Sequence, residues 1–395
     1  MDIEAMIRRR QRRDGESRLV EGYEPLSPAT HVEEPTDRGR LIERLLDHFD
    51  PVFEGRLPPH GYVYGPKGAG KSAVVTALFA QLDRQTVDPD TAIYTTTRVR
   101  PTRLLHFVYV DTRHHTSEFA FYHALVDALT DETVPRHGIS TETLRTRLHR
   151  QLDASGAGLL LAVDHVGESG STAANAVVER FSALPSSVSW LAVGRTDPDE
   201  TVFTDYTAAT IRVGPYRRHV LADILLRRGA SALRRAALDD GAAGAIAEWA
   251  DGDAHDALAA LFVAADRAAR ADRATITDVD IEAAFEEMPA DCVALGQVFA
   301  LPTNKQIVLR ALLELDPTDR ESVTVATTAI AERTDLAAGT IKRYLYELAA
   351  VGVIERVRAA ENGESGRPPS RLEPKFPPTV FQRLCDIEAG SESER

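Results

Sequence analysis

The run Gly65-Pro66-Lys67-Gly68-Ala69-Gly70-Lys71-Ser72 constrains the fold more than any other stretch of the chain. It fits G-x-x-x-x-G-K-[ST], a loop that cradles phosphates. The β-prone Gly61-Tyr62-Val63-Tyr64 precedes it, and the helix-compatible Ala73-Val74-Val75-Thr76-Ala77-Leu78-Phe79 follows. Strand, loop and helix are therefore expected in that order. Small residues let backbone N–H groups approach a polyphosphate, and the helix N-terminus adds partial positive charge. Lys71 is placed to reach the β- and γ-phosphates and Ser72 to hold Mg²⁺. The expected contacts with ATP or ADP are Gly65, Pro66, Lys67, Gly68, Ala69, Gly70, Lys71, Ser72, Ala73 and Val74.

At 395 residues the chain is long for one core, so two or three domains are expected. It has no run of ~18 apolar residues, so no membrane-spanning helix is expected. Arg8-Arg9-Arg10 and Arg12-Arg13 are not followed by an apolar segment, so they do not read as a secretory signal. A frayed charged helix and an arm that touches a phosphate backbone both fit them. Cys292 and Cys385 lie far apart, make no metal-ligand pattern and suit a reducing cytoplasm.

The net charge of −14 argues at first against a nucleic-acid partner. The charge is unevenly spread, however. Residues 303–395 hold 13 Lys+Arg against 15 Asp+Glu, and stopping at Cys385 leaves 12 against 11. Lysine is confined to Lys67, Lys71, Lys305, Lys342 and Lys375, while arginine is abundant. An acidic, lysine-poor surface suits a salt-rich cytoplasm, where screening weakens both self-repulsion and attraction to phosphate.

Along the chain, residues 1–22 read as a flexible polar arm. Residues 23–214 alternate strands with helices, which predicts an α/β domain with a parallel sheet covered on both faces. Residues 215–301 turn helical and Ala-rich, a helical lid. Residues 302–387 read as helix, helix, helix, strand, loop, strand, the order of a winged helix-turn-helix. Residues 388–395 read as a disordered tail.

The apolar strand Leu159-Leu160-Leu161-Ala162-Val163-Asp164 has the Walker B form, with Asp164 beside the metal together with Ser72. His165 follows, and its neutral imidazole can accept a proton but is a weak substitute for a carboxylate near Mg²⁺. Glu168 can help only if the loop folds back. Thr196, after a further strand ending at Gly194, is a candidate γ-phosphate sensor. Lys71, Asp164 and His165 are the candidate catalytic residues, and slow hydrolysis is expected.

Further motifs carry a family resemblance. Ser27-Pro28, then Val32-Glu33-Glu34-Pro35 and Arg38, resembles the adenine-pocket segment of the archaeal Orc1/Cdc6 family of AAA+ replication initiators. Tyr216, Leu221, Ile224-Leu225 and Arg228 match the pattern that opens that family's lid. Gly252-Asp253-Ala254-His255 resembles its Gly-Asp-Ala-Arg sensor 2 element, with histidine replacing arginine. The resemblance covers residues 25–385. It implies that Val32, Tyr216, Arg228 and His255 lie near the nucleotide. It also implies origin repeats in double-stranded DNA and the replicative helicase as partners, with a monomer in solution or an oligomer on DNA. His165 stands where AAA+ ATPases usually carry glutamate, and the sensor asparagine is missing; both departures weaken hydrolysis or sensing.

In a winged helix the third helix enters the major groove. Ile341, Leu345 and Leu348 share one face and should pack inward, leaving Thr340, Lys342, Arg343 and Tyr346 toward DNA. Arg356, Arg358, Arg367 and Arg371 on the wing are expected to reach backbone or minor groove. Two other readings use the same parts: an ATP-binding regulator of transcription or plasmid copy number, and an AAA+ scaffold whose winged helix binds protein.

Overall fold

The computed structural model describes residues 19–31, 35–87, 104–130, 132–358 and 370–393. The chain divides into two compact units, residues 31–215 and residues 1–30 with 216–395.

In the first unit, α1 (Gly39–His48) precedes β1 (Gly61–Tyr64) and α2 (Lys71–Val87). Then come β2 (Leu105–Asp111), α3 (Glu118–Ala128), α4 (Thr141–Ser155), β3 (Gly158–Val166), α5 (Ala174–Ser182), β4 (Val188–Gly194) and β5 (Ala209–Arg212). Among the described residues the five strands form one parallel sheet in the order β2-β3-β4-β1-β5. Parallel strands need helices on both faces, and β3 and β4 are accordingly buried throughout. Successive β3 side chains serve opposite cores. Leu159, Leu161 and Val163 face the layer holding Phe121, Leu144 and Leu148, while Leu160 and Ala162 face the layer holding Leu45, Phe49 and Val75. Each such leucine or phenylalanine contributes ~1.5–3 kcal/mol by leaving water. In α4 the apolar stripe Leu144, Leu148 and Leu152 recurs every four residues, Ser140 caps its start, and left-handed Gly156 ends it. Trp190 stacks between His60 and Phe181 at 4.5 and 4.2 Å.

The second unit begins with residues expected in a flexible arm. Leu19 and Val20 are buried, and Val20 bridges to Leu233. Glu21 N donates to Ala232 O at 2.7 Å, and Arg234 N donates to Leu19 O at 2.8 Å. Residues 19–30 therefore pack within the helical unit, because Leu19, Val20 and Leu26 supply apolar surface to its core.

Helices α6 (Arg218–Ala232), α7 (Asp240–Trp249), α8 (Ala254–Arg270), α9 (Asp278–Glu287) and the short α10 (Leu295–Phe299) follow. The alanines of α8 are packing residues, buried along most of its length. Trp249 stacks on Phe285 at 4.6 Å and 9°. Helices α11 (Thr303–Leu313), α12 (Val323–Ala331) and α13 (Ala338–Ala350) lead to an antiparallel ribbon of β6 (Ile354–Arg358) and β7 (Ser370–Pro374). Helix α14 (Pro378–Ser393) closes the chain and runs through residues expected in a disordered tail. Val380 and Phe381 are buried and Leu384 packs against the same core, which anchors it. Among the described residues no helix is long and apolar enough to cross a membrane.

Candidate nucleotide site

The loop between β1 and α2 lies at the C-terminal edge of the parallel sheet, where α/β folds bind ligands. Gly65 has φ +153°, and a Cβ there would lie 2.0 Å from the carbonyl oxygen of Val213, so only glycine fits. Ala69 is buried, and Lys67, Gly68 and Gly70 are intermediate or exposed around it, with Pro66 exposed. Lys71 and Ser72 begin α2, and Ala73 and Val74 continue it. Lys71 Nζ donates to the carbonyls of Gly65 and Pro66 at 2.7 and 2.8 Å, which holds the ammonium inside the loop. Arg38 braces the same loop from outside, donating to Ala69 O at 2.6 Å and Gly214 O at 3.1 Å.

Asp164 ends the apolar run of β3 and is 1% exposed. It accepts a hydrogen bond from Tyr109 Oη at 2.7 Å and one from His165 N at 2.7 Å, and the Ser72 hydroxyl lies beside it. The expected metal pair, Ser72 and Asp164, thus meets across two elements. Burial pulls the Asp164 carboxyl upward, but the His165 ring and these hydrogen bonds outweigh it and hold the group below its ordinary value. The register of β3 on β4 shifts between Val163 and Val166. There His165 adopts φ 60°, a left-handed conformation that costs a histidine on the order of 1–3 kcal/mol. Its Nδ1 lies 3.3 Å from Glu168 Oε2, an ion-pair distance without hydrogen-bond alignment, and its Nε2 lies 3.8 Å from Asp164 Oδ2. Burial lowers the ring's pKa, but Asp164 and Glu168 outweigh it and leave the ring above its ordinary value. The Thr196 carbonyl accepts from Tyr62 Oη at 2.7 Å.

In the helical unit, Tyr216 is buried and its N–H donates to Gly252 O at 3.0 Å. Arg228 Nη2 donates to Ser27 O at 2.7 Å and Thr30 O at 3.0 Å, so its guanidinium braces residues 27–30. His255 sits 8% exposed at the start of α8, with Nδ1 on Asp256 Oδ1 at 2.9 Å and Nε2 accepting from Leu295 N at 2.9 Å. Both ring nitrogens are engaged inside their own unit. Val32 lies outside the described residues.

On α13, Ile341, Leu345 and Leu348 are buried, Lys342 and Arg343 are exposed, Tyr346 is 43% exposed and Thr340 is half-buried. The Arg356 guanidinium on β6 lies 5.1 Å from the Tyr346 ring centroid. Helix and ribbon thereby present one aromatic and several cations together. Arg343 lies 3.7 Å from Glu347, and exposed Arg371 lies 3.4 Å from Glu373. Arg358 closes β6, and Arg367 lies outside the described residues.

A model of the AAA ATPase domain family matches residues 34–193. An ORC1-type DNA replication protein of Thermococcus onnurineus (strain NA1) is 24% identical over 354 residues, 84% of this chain and 82% of that one. The structure of the Aeropyrum pernix ORC1 protein in complex with DNA matches with a TM-score of 0.59 at 20% identity, covering 96% of this chain and 100% of that chain. The Aeropyrum pernix ORC2 protein in its ADPNP–ADP complexes matches with a TM-score of 0.55 at 16% identity, over 95% and 100%. Along most of its length the chain is similar to ORC1-type DNA replication proteins, and it shares the fold of the two Aeropyrum pernix structures. Its sheet unit has the P-loop AAA+ fold.

Three contributors to this site escaped the sequence reading. Tyr109 lies one strand away from Asp164, and only the pairing of β2 with β3 brings them together. Arg113 grips Asp111 at 2.6 Å beside the Walker B turn, and Arg195 grips Glu168 at 2.8 Å. Arg38 was recognised within a motif, but its role as a loop brace needed coordinates. A cation or phenol at the end of a strand adjoining the Walker B strand is the signal that sequence could offer.

Proposed function

We propose that this protein is an ATP-binding replication initiator of the ORC1 type, which binds origin DNA through a C-terminal winged helix and hydrolyses ATP slowly. The observation that carries the nucleotide reading is the convergence of Lys71, Ser72 and Asp164 at the N-terminus of α2. Backbone N–H groups of the loop and the α2 dipole would hold the β- and γ-phosphates, with Lys71 supplying the point charge. One hydroxyl and one ionised carboxylate form the all-oxygen donor set that suits Mg²⁺, so Ser72 and Asp164 are the residues that would hold it. Bound there, the ion neutralises charge on the transferring phosphoryl group. His165 stands where a carboxylate base is usual, which supports slow turnover.

Three supports favour DNA as partner. The Aeropyrum pernix ORC1 neighbour is in complex with DNA, the relatives are DNA replication proteins, and α13 exposes Lys342, Arg343 and Tyr346 while its apolar face is buried. Helicase loading in the cytoplasm completes the reading. The test is nucleotide analysis of purified protein combined with footprinting on DNA beside its own coding region. Retained ATP or ADP, lost in Lys71→Ala, with protected repeats supports the proposal. Equal retention in Lys71→Ala, or protection confined to promoters, overturns it.

A further inference from the structure

Asp266 of α8 is 0% exposed, so its carboxylate must be met from inside the protein. Arg270, one turn along the same helix, meets Oδ2 at 2.6 Å. The other oxygen is met by two segments far away in sequence. Tyr23 Oη, from residues 19–30, donates to Asp266 Oδ1 at 2.8 Å. Arg383 of α14 donates through Nη2 to the Tyr23 oxygen at 3.3 Å and lays its guanidinium 4.7 Å from the ring centroid. Arg383 Nε stands 3.4 Å from Asp266 Oδ1 without hydrogen-bond alignment. The hydrogen-bonded route from α14 to this carboxylate therefore runs through the Tyr23 hydroxyl.

Tyr23 is itself held on both sides. Its ring lies 5.1 Å from the ring of buried Phe262. Ahead of it, Glu21 N and Gly22 N both donate to Ala232 O; behind it, Arg228 grips the carbonyls of Ser27 and Thr30. Helix α14 in turn bridges two groups of elements within this unit. Its Asp386 pairs with Arg310 of α11 at 2.5 Å, and its Phe381 lies 5.5 Å from Phe376, which follows β7. At its start, Thr379 N and Oγ1 each donate to Glu287 of α9 at 2.9 Å. We propose that residues 19–30 are a latch: through the Tyr23 hydroxyl they fasten α14, and with it the lobe of α11–α13 and the ribbon, onto α8. Taking a partner away from a buried carboxylate is costly. Docking of the segment and docking of α14 therefore support each other, since each supplies a group that the Asp266 site needs. Release of the segment loosens α14, and release of α14 loosens the segment. The latch belongs to the helical unit alone and holds whether or not the lobe reads DNA.

The test uses the full chain and native-state amide hydrogen exchange read by mass spectrometry. Tyr23→Phe keeps the ring and removes only the hydroxyl. It should speed exchange of the protected amides of α14 by ~10–100-fold, the worth of a hydrogen bond to a charged group in a local opening equilibrium. Amides of α8 should keep their wild-type rates, because only the docked helix is released. Arg383→Met approaches the same contact from the other side, keeping a long stem without its donors, and should speed α14 to a comparable degree. The double variant should exchange no faster than the faster single one, since both substitutions cut one route. Residues 19–30 should also gain exchange in Arg383→Met, although that substitution lies on another segment. Wild-type exchange of α14 in Tyr23→Phe overturns the proposal. So does an equal rise in α14 and α8, which would mean general loosening of the unit, and so do single effects that multiply in the double variant.

Discussion

Gly65 illustrates how one residue can be dictated by its neighbour's backbone. The carbonyl of Val213 fills the space a side chain would need. Gly65→Ala must therefore move the loop or the segment after β5, at a cost on the order of 1–3 kcal/mol, and should weaken nucleotide binding along with thermal stability. Calorimetry and ATP titration of the same variant check both. Tyr109→Phe probes a different contact, the hydrogen bond to the ionised Asp164 carboxylate. Its loss is expected to cost about 1.5–3 kcal/mol in urea unfolding. His165→Glu restores a carboxylate next to Asp164 and should speed turnover; steady-state ATPase rates decide, and no gain would mean that the water-handling group is misassigned. At this scale the sequence was readable wherever a motif fixes chemistry by spacing, as from Gly65 to Ser72 and at Asp164. It made Glu168 conditional on the loop folding back and was silent on Tyr109, because their placement depends on a turn closing and on two strands pairing. His255 was assigned by likeness of motif, whereas the structure engages its ring with Asp256 and Leu295.

Among the elements, the strand–loop–helix around the phosphate loop was legible because apolar patterning and turn chemistry agree there. Helix α14 was not, since its anchors Val380 and Phe381 are few and a polar stretch follows. The segment before α1 was missed for a similar reason, as two buried apolar residues make no periodicity. That segment is held by Tyr23, whose Oη donates to Asp266 of α8 at 2.8 Å beneath the Arg383 guanidinium of α14, 4.7 Å from the ring. Burial and then the Asp266 charge push the phenol up to about 12. A folded value above the ordinary 10.0 means that the contact stabilises fully below pH 10 and fades as pH rises through about 12. The stability gap between wild type and Tyr23→Phe should thus be constant up to pH 10 and narrow above it, as urea melts from pH 8 to 11 would show.

For the molecule as a whole, charge bears on the proposed DNA partner. A chain of net charge −14 cannot rely on its overall field, so under that proposal attraction would come from the local cations of α13 and the ribbon. Binding should therefore fall steeply with salt, and Lys342→Ala or Arg343→Ala should each reduce the slope of log K against log salt by about 1 if that side chain meets a phosphate. Fluorescence anisotropy across a salt series measures this. The two tryptophans, described above as stacking partners, have a use beyond packing. Trp190 is 3% exposed in the sheet unit, whereas Trp249 is 37% exposed in the helical unit. Each unit thus owns one intrinsic fluorophore in a distinct environment, the first shielded between two rings and the second open to quenchers. Replacing either with phenylalanine leaves emission that reports a single unit, so the melting of one half and its response to ADP can be followed without an added dye.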